Sequence, residues 1–291
     1  MSDVATKHLP VLISTPHSSG FVPDDILSEM LGDRAHDEGL RERFLKRLFF
    51  EGDPYTDQIF RAEGALHFNA AASRFVVDYN RRRDEGGANG VIKLTDFSAE
   101  PLYPEDYRLS HEAAEARLET YWDPFHQAIE HALERDDVAF FVDGHAMAPV
   151  GPAIGPDSGK LRPALTLITG GDETGQPQHP GAYTSVNAEV AHLLIERLEH
   201  HFADVMKVCP NVPPRALLNS PFSMADIQRR YSNPVFAHHK PGFSLEVNRA
   251  LYLHGCEDGF DEAIPEHIDM LNAAFNAFLE DSIPLFEKPR G

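Results

Sequence analysis

The chain is poor in cysteine, poor in positive charge and free of long apolar runs, and each shortage excludes something. Only two cysteines, Cys209 and Cys256, occur in 291 residues, far apart and without a CxxC spacing. They supply no disulfide framework and no thiolate zinc site. They fit a reducing cytosol, so a cytoplasmic location is expected. Lys and Arg number 26 against 46 Asp and Glu, a formal net charge of −20. An acidic surface repels phosphate backbones, so neither nucleic acid nor an anionic membrane is an expected partner. No segment approaches the roughly 18–20 apolar residues of a membrane span. The apolar run near Val11 is cut by Pro16 and His17 and no cationic start precedes it, so no signal peptide is expected. GxGxxG after a strand, the P-loop and GxSxG are also missing.

What is present reads as α/β. Hydrophobic residues make up 42%, enough for a sizeable core. The length suits one large domain over 1–291, with two domains as the alternative. Strands are expected at 11–15, 65–68, 74–79, 138–145, 164–169 and 241–248, with a weaker one at 205–208. Helices are expected near 24, over 37–50, over 186–202 and over 265–279. A long helical stretch is expected over 105–137, broken at Asp123-Pro124 because Pro124 excludes a regular interior position. Residues 55–60 are of uncertain class. Residues 83–90 and the Gly/Pro-rich stretch 146–163 read as loops, the latter long enough to be functional. Alternating strands and helices imply a mostly parallel or mixed sheet.

Two histidines, His17 and His145, each follow an apolar strand and precede a loop. Ligands bind at the carboxyl ends of strands in open α/β sheets, and neutral imidazole is a common zinc ligand. A hydrolytic site of the His₂-carboxylate type needs a third, acidic ligand. Position +3 from His17 is Gly20, so an HxxE spacing is absent. Asp57, Asp143, Asp24 and Glu51 are all candidates. Asp143 shares a strand face with His145, so it is either a ligand or an outer carboxylate that orients the ring. Arg81 and Asn80, at the exit of the 74–79 run, can hold a carboxylate against the acidic global field. Glu246 lies within an apolar strand. There it is either a buried, perturbed carboxylate suited to general-base work or an outward residue beside Ser244 and Asn248.

Taken together, these stretches resemble the N-formylglutamate amidohydrolase family. The matching segments are Pro16–Gly20, Asp57 with Ile59-Phe60, Ser73-Arg74 through Asp78-Tyr79-Asn80-Arg81, Asp143–Met147, Asn219–Phe222 and Leu245–Tyr252. They keep their order over about residues 10–255. The family is similar to the zinc carboxypeptidases and aspartoacylases. The resemblance implies a three-layer αβα fold of the zinc-exopeptidase (phosphorylase/hydrolase-like) type with a mixed, mostly parallel sheet. It implies Zn2+, or another divalent ion, on His17, His145 and a third ligand, with Asp57 preferred. It also implies that Asn80 and Arg81 hold a substrate carboxylate, that Arg74 polarises the scissile carbonyl and that Glu246 is the general base. The chain departs from the family near Met224-Ala225, where a glycine pair is usual.

The expected activity is hydrolysis of N-formyl-L-glutamate, a small anionic N-acyl amino acid, with a place in histidine degradation implied by the resemblance. The rivals are a deacylase for another N-acyl amino acid, a small-peptide carboxypeptidase, and a non-catalytic binder of acidic metabolites. The oligomeric state is not legible in the sequence.

Overall fold

The structure is a computed structural model that describes residues 8–152, 155, 157–256 and 261–287. The extreme N-terminal residues behind the signal-peptide expectation, and residues 153, 154 and 156 of the expected 146–163 loop, lie outside the described residues.

Six strands form one sheet: β1 (Val11–Thr15), β2 (Leu66–Asn69), β3 (Phe140–Met147), β4 (Leu165–Ile168), β5 (Ala216–Leu218) and β6 (Gly242–Asn248). Their order is β2-β1-β3-β6-β4-β5. Every neighbouring pair is parallel except β4 and β6. A separate antiparallel hairpin joins β7 (Leu253–Gly255) to β8 (Asp261–Ala263). The helices are α1 (Asp24–Leu31), α2 (Glu38–Glu51), α3 (Thr56–Ile59), α4 (His111–Arg117), α5 (Asp123–Leu133), α6 (Ala188–His201), α7 (Asp226–Tyr231) and α8 (Pro265–Ser282).

Alternation along the strands builds the three layers. Val11, Ile13, Phe140, Val142, Phe243 and Leu245 enter one core with Leu194 and Leu198 of α6 and Phe275 and Phe278 of α8. Leu12 and Phe141 point the other way, against Phe125, Ile129 and Leu133 of α5. Each such side chain contributes roughly 1.5–3 kcal/mol on full burial. The sheet therefore lies between helices on both faces, as expected. The face toward α5 changes character along the strands. It is apolar at Leu12 and Phe141, then becomes polar at Ser14, Asp143, His145 and Glu246, toward the carboxyl ends of β1 and β3.

The structure corrects three expectations. Residues 74–79 are not a strand: the amides of Val76 and Val77 turn back onto Ser73 O. Phe75 and Val76 pack beneath α1 and α2, while Val77 and Tyr79 pack toward α5. A short apolar run without a clear period signals burial, not extension. Residues 205–207 form a single tight helical turn and not a strand. In the 105–137 stretch, helix starts only at His111, where Ser110 Oγ accepts the Ala113 N–H. It then passes from α4 to α5 through a wide turn at Leu118–Trp122. Pro124 sits in the first turn of α5, and the wide turn before it absorbs its missing N–H.

Candidate active site

His17 stands two residues beyond β1, held by the turn in which Ser18 N–H donates to Thr15 O. His145 lies on β3, directly opposite Glu246 on β6 and two residues beyond Asp143. Strand register therefore places His145, Asp143 and Glu246 on one face. The close approach behind them requires Gly144, where an added Cβ would lie 2.4 Å from the Phe60 ring.

The carboxylate that joins the two histidines is Asp53. Its Oδ2 lies 3.1 Å from His17 Nδ1 and 3.0 Å from His145 Nδ1. The three side chains are buried and form one group of potential metal ligands. Asp53 follows α2, whose end Gly52 closes, and its N–H donates to His17 O. Pro54 follows Asp53, and Tyr55 then turns in the left-handed region at φ 64°. Asp57, the preferred third ligand, lies one turn further on in α3, half-buried, and belongs neither to this group nor to the cavity wall. Asp53, and not the expected Asp57, is the carboxylate that stands with the two histidines. Asp24 is an exposed partner of Arg41 at 2.6 Å. Glu51 lines the cavity near Arg47 at 3.6 Å, its pKa raised by burial and by Asp96.

Each histidine is gripped at its far nitrogen by a second buried carboxylate. His17 Nε2 lies 2.7 Å from Asp78 Oδ1, and His145 Nε2 lies 2.8 Å from Asp143 Oδ2. Ser14 Oγ donates to Asp143 at 2.6 Å. Asp78 is further clamped by Arg74 at 2.9 Å and by the fully buried Lys93 at 3.0 Å. This is the carboxylate–histidine pattern that fixes ring orientation and leaves both Nδ1 atoms facing one point.

The residues fit a divalent cation. Ligands about 2.0–2.1 Å from a tetrahedral ion stand roughly 3.3 Å apart, and the two Asp53–histidine separations are close to that. Asp53, Asp78, Asp143 and Glu246 bring four carboxylates together, while Arg74 and Lys93 bring two cations. A divalent ion would balance the excess. Burial raises the Asp53 pKa, but the imidazoles of His17 and His145 and the Arg74 guanidinium outweigh it and hold Asp53 well below the usual range. Burial lowers the His145 pKa, but Asp143 and Asp53 outweigh it and raise it well above its ordinary value.

A cavity of about 730 Å³ opens over this group, lined among others by Arg74, Asn80, Arg81, Arg162, Met224 and Glu246. Glu246 forms part of its floor, its pKa pushed up to about 7 by burial, with the Asp53 carboxylate adding to the rise and His145 opposing it. Arg74 reaches Asp53 and Asp78 with its two terminal nitrogens, and its buried Nε–H has no protein acceptor. Arg81 is half-buried, with Nε 3.4 Å from Glu85. Asn80 is less free than expected. Its Oδ1 accepts the Ile227 N–H at the start of α7, and its Nδ2 lies 3.2 Å from His145 Nε2. Met224 is buried against Gly170, and Phe222 lies beneath the Arg162 guanidinium at 4.7 Å. Asp53, Asp78 and Lys93 were missed in the sequence. Asp78 carried the better signal, as an acid inside an apolar run that has to be paired.

The fold is thus a mixed α/β sheet with a His-Asp-His group at its strand ends and the half-buried Glu246 beside it. Residues 9–253 match the N-formylglutamate amidohydrolase family, and the chain belongs to that family. It is 27% identical over 261 residues to an N-formylglutamate deformylase of Pseudomonas putida, covering 86% of this chain and 84% of the relative. Its fold is similar to the crystal structure of an N-formylglutamate amidohydrolase from Ralstonia eutropha JMP134. The TM-score is 0.65 at 20% identity, over 96% of this chain and 94% of the other. A gene product of Agrobacterium tumefaciens gives a TM-score of 0.57 at 14% identity, over 98% and 94%.

Proposed function

We propose that this chain is a metal-dependent amidohydrolase that cleaves N-formyl-L-glutamate to L-glutamate and formate, with residues 1–291 acting as one catalytic domain. The observation that carries the reading is the convergence of His17, Asp53 and His145 on one point, with Glu246 directly across from His145 in the neighbouring strand. The Pseudomonas putida relative, a deformylase by name, supports the choice of substrate.

His17, Asp53 and His145 would hold the ion, zinc by the chemistry of the donor set, and it would supply Lewis acidity that lowers the pKa of water toward about 7 and polarises an amide carbonyl. Glu246 takes the proton of the attacking water and delivers it to the departing amide nitrogen. A carboxyl group tuned to about 7 is suited to both halves of that transfer. Arg74, in the cavity wall beside the His-Asp-His group, stabilises the carbonyl oxygen with its guanidinium charge as charge develops there. Arg81 binds the substrate α-carboxylate. Asn80 keeps α7 in place through Ile227 and contributes its Nδ2–H₂ to the same subsite. Asp78 and Asp143 keep the two rings oriented.

The breadth of the cavity and the buried Met224 in its wall favour a second reading, a deacylase for an N-acyl amino acid with a larger acyl group. A panel of N-formyl, N-acetyl and N-benzoyl amino acids assayed at equal concentration separates the two. The first reading expects N-formyl-L-glutamate to give the highest kcat/KM, and a larger acyl group in that position would select the second.

A further inference from the structure

Two hydrogen-bonded strands outside the main sheet bring together a second set of side chains with metal-binding chemistry. In the β7–β8 hairpin, His254 pairs directly with Glu262 across the ladder. Residues directly opposite in an antiparallel pair present their side chains to the same face. Cys256 follows the last residue of β7, two positions beyond His254. The potential ligand atoms of His254, Cys256 and Glu262 all lie within 4.8 Å of one another. The His254 Nε2 to Glu262 Oε2 separation is 3.8 Å. An ordinary tetrahedral site places such atoms about 3.3–3.7 Å apart, with bonds of roughly 2.0–2.3 Å. His254 and Glu262 are exposed and Cys256 is half-buried, and a small closure of these side chains separates the two geometries. Cys256 is not in a disulfide.

We propose that His254, Cys256 and Glu262 form a second, peripheral site for a borderline-soft divalent cation of the Zn2+, Co2+ or Ni2+ type, with solvent completing the shell. The donor set decides the class. A thiolate and an imidazole favour these ions over Mg2+ and Ca2+, which prefer oxygen ligands throughout. The site is distinct from the group at the strand ends, because that group contains no cysteine. A count of two metals per chain would then report two separate sites and not a binuclear catalytic centre.

The absence of a thiol at His17, Asp53 and His145 makes the test specific. The full-length protein is stripped of metal and titrated with Co2+ while the near-ultraviolet thiolate-to-cobalt charge-transfer band is recorded. The band is expected to appear and saturate at one equivalent for this site, and to vanish in Cys256→Ser. His254→Ala and Glu262→Gln are expected to weaken its titration by more than the roughly 10–100-fold that loss of an outer-shell partner costs. No charge-transfer band in the wild-type protein would overturn the proposal. So would a band that survives Cys256→Ser, since Cys209 would then be the ligand, or one whose titration is unmoved by both other variants. Cysteine, histidine and glutamate are replaced one at a time on a solvent-facing hairpin, and circular dichroism checks that each variant is folded.

Discussion

At the scale of single residues, the proposed chemistry depends on Glu246 and Arg81. Glu246→Gln removes the proton carrier but keeps shape, so kcat is expected to fall roughly 10²–10⁴-fold with bound metal unchanged by elemental analysis. The same carboxylate sets a pH dependence. Burial raises its pKa to about 7, and the reactive form is the ionised one, so kcat/KM is lost as pH falls through that pKa. A bound cation lowers the midpoint below about 7. The residual activity of Glu246→Gln is expected to lose this acid limb, and a limb that persists would assign it to another group. Arg81→Ala is expected to raise KM with little change in kcat, the signature of uniform binding. An unchanged KM for an anionic substrate would remove Arg81 from the carboxylate subsite.

The histidine–carboxylate pairs make metal uptake a protonic event. Asp143 and Asp53 outweigh burial and raise the His145 pKa well above its ordinary value, which favours a proton on the ring when no cation is bound. Its Nδ1 has to give up that proton to bind a cation. Affinity is therefore expected to rise with pH up to the raised His145 pKa, with about one proton or more released per ion. Calorimetric titration in two buffers of different ionisation enthalpy measures the number. Release of no proton at neutral pH would place the ion elsewhere.

At the scale of elements, strand register explains the site and glycine permits it. Ser14, Asp143 and Ser244 lie in one row across β1, β3 and β6, and His145 with Glu246 in the next. Gly144 lets Phe60 close beneath that row. Gly144→Ala puts a methyl group 2.4 Å from the ring, and a cost of about 1–3 kcal/mol is expected, read as a lower denaturant midpoint. A midpoint within error of wild type would mean that Phe60 has room to move.

The sequence was readable where period and burial coincide. The alternation over residues 242–248 and the stripe of α6 both became the elements their patterns indicate. The continuous run Phe75-Val76-Val77 did not, because a segment buried between layers needs no regular hydrogen bonding to be apolar. His17, His145 and Glu246 were visible because each interrupts or ends an apolar strand. Asp53 was not, because an Asp before Pro54 at the end of a helix has an ordinary local explanation. Its approach to His17 and His145 depends on how the chain returns after α2, a tertiary fact with no local pattern. The role of Lys93 is hidden for the same reason, since its partner Asp78 lies 15 positions away along an irregular loop.

At the scale of the whole molecule, an acidic chain of net charge −20 concentrates arginines around one cavity. Arg74, Arg81, Arg162, Arg229 and Arg249 all line it. Among the described residues no helix is long and apolar enough to cross a membrane. With a metal on the proposed ligands, the carboxylate excess at the strand ends would link its occupancy to stability. An ion that binds only the folded state stabilises it by about 2.7 kcal/mol at a free concentration 100 times its Kd.

The measurement that tests the central claim is formate release from N-formyl-L-glutamate by metal-analysed protein, before and after chelation and after metal is restored. The account predicts turnover with at least one zinc per chain, its loss on chelation and its return with Zn2+. It also predicts no measurable turnover in a folded Asp53→Asn variant with reduced zinc content. Full turnover by the chelated, metal-free enzyme would contradict it, as would full activity in Asp53→Asn.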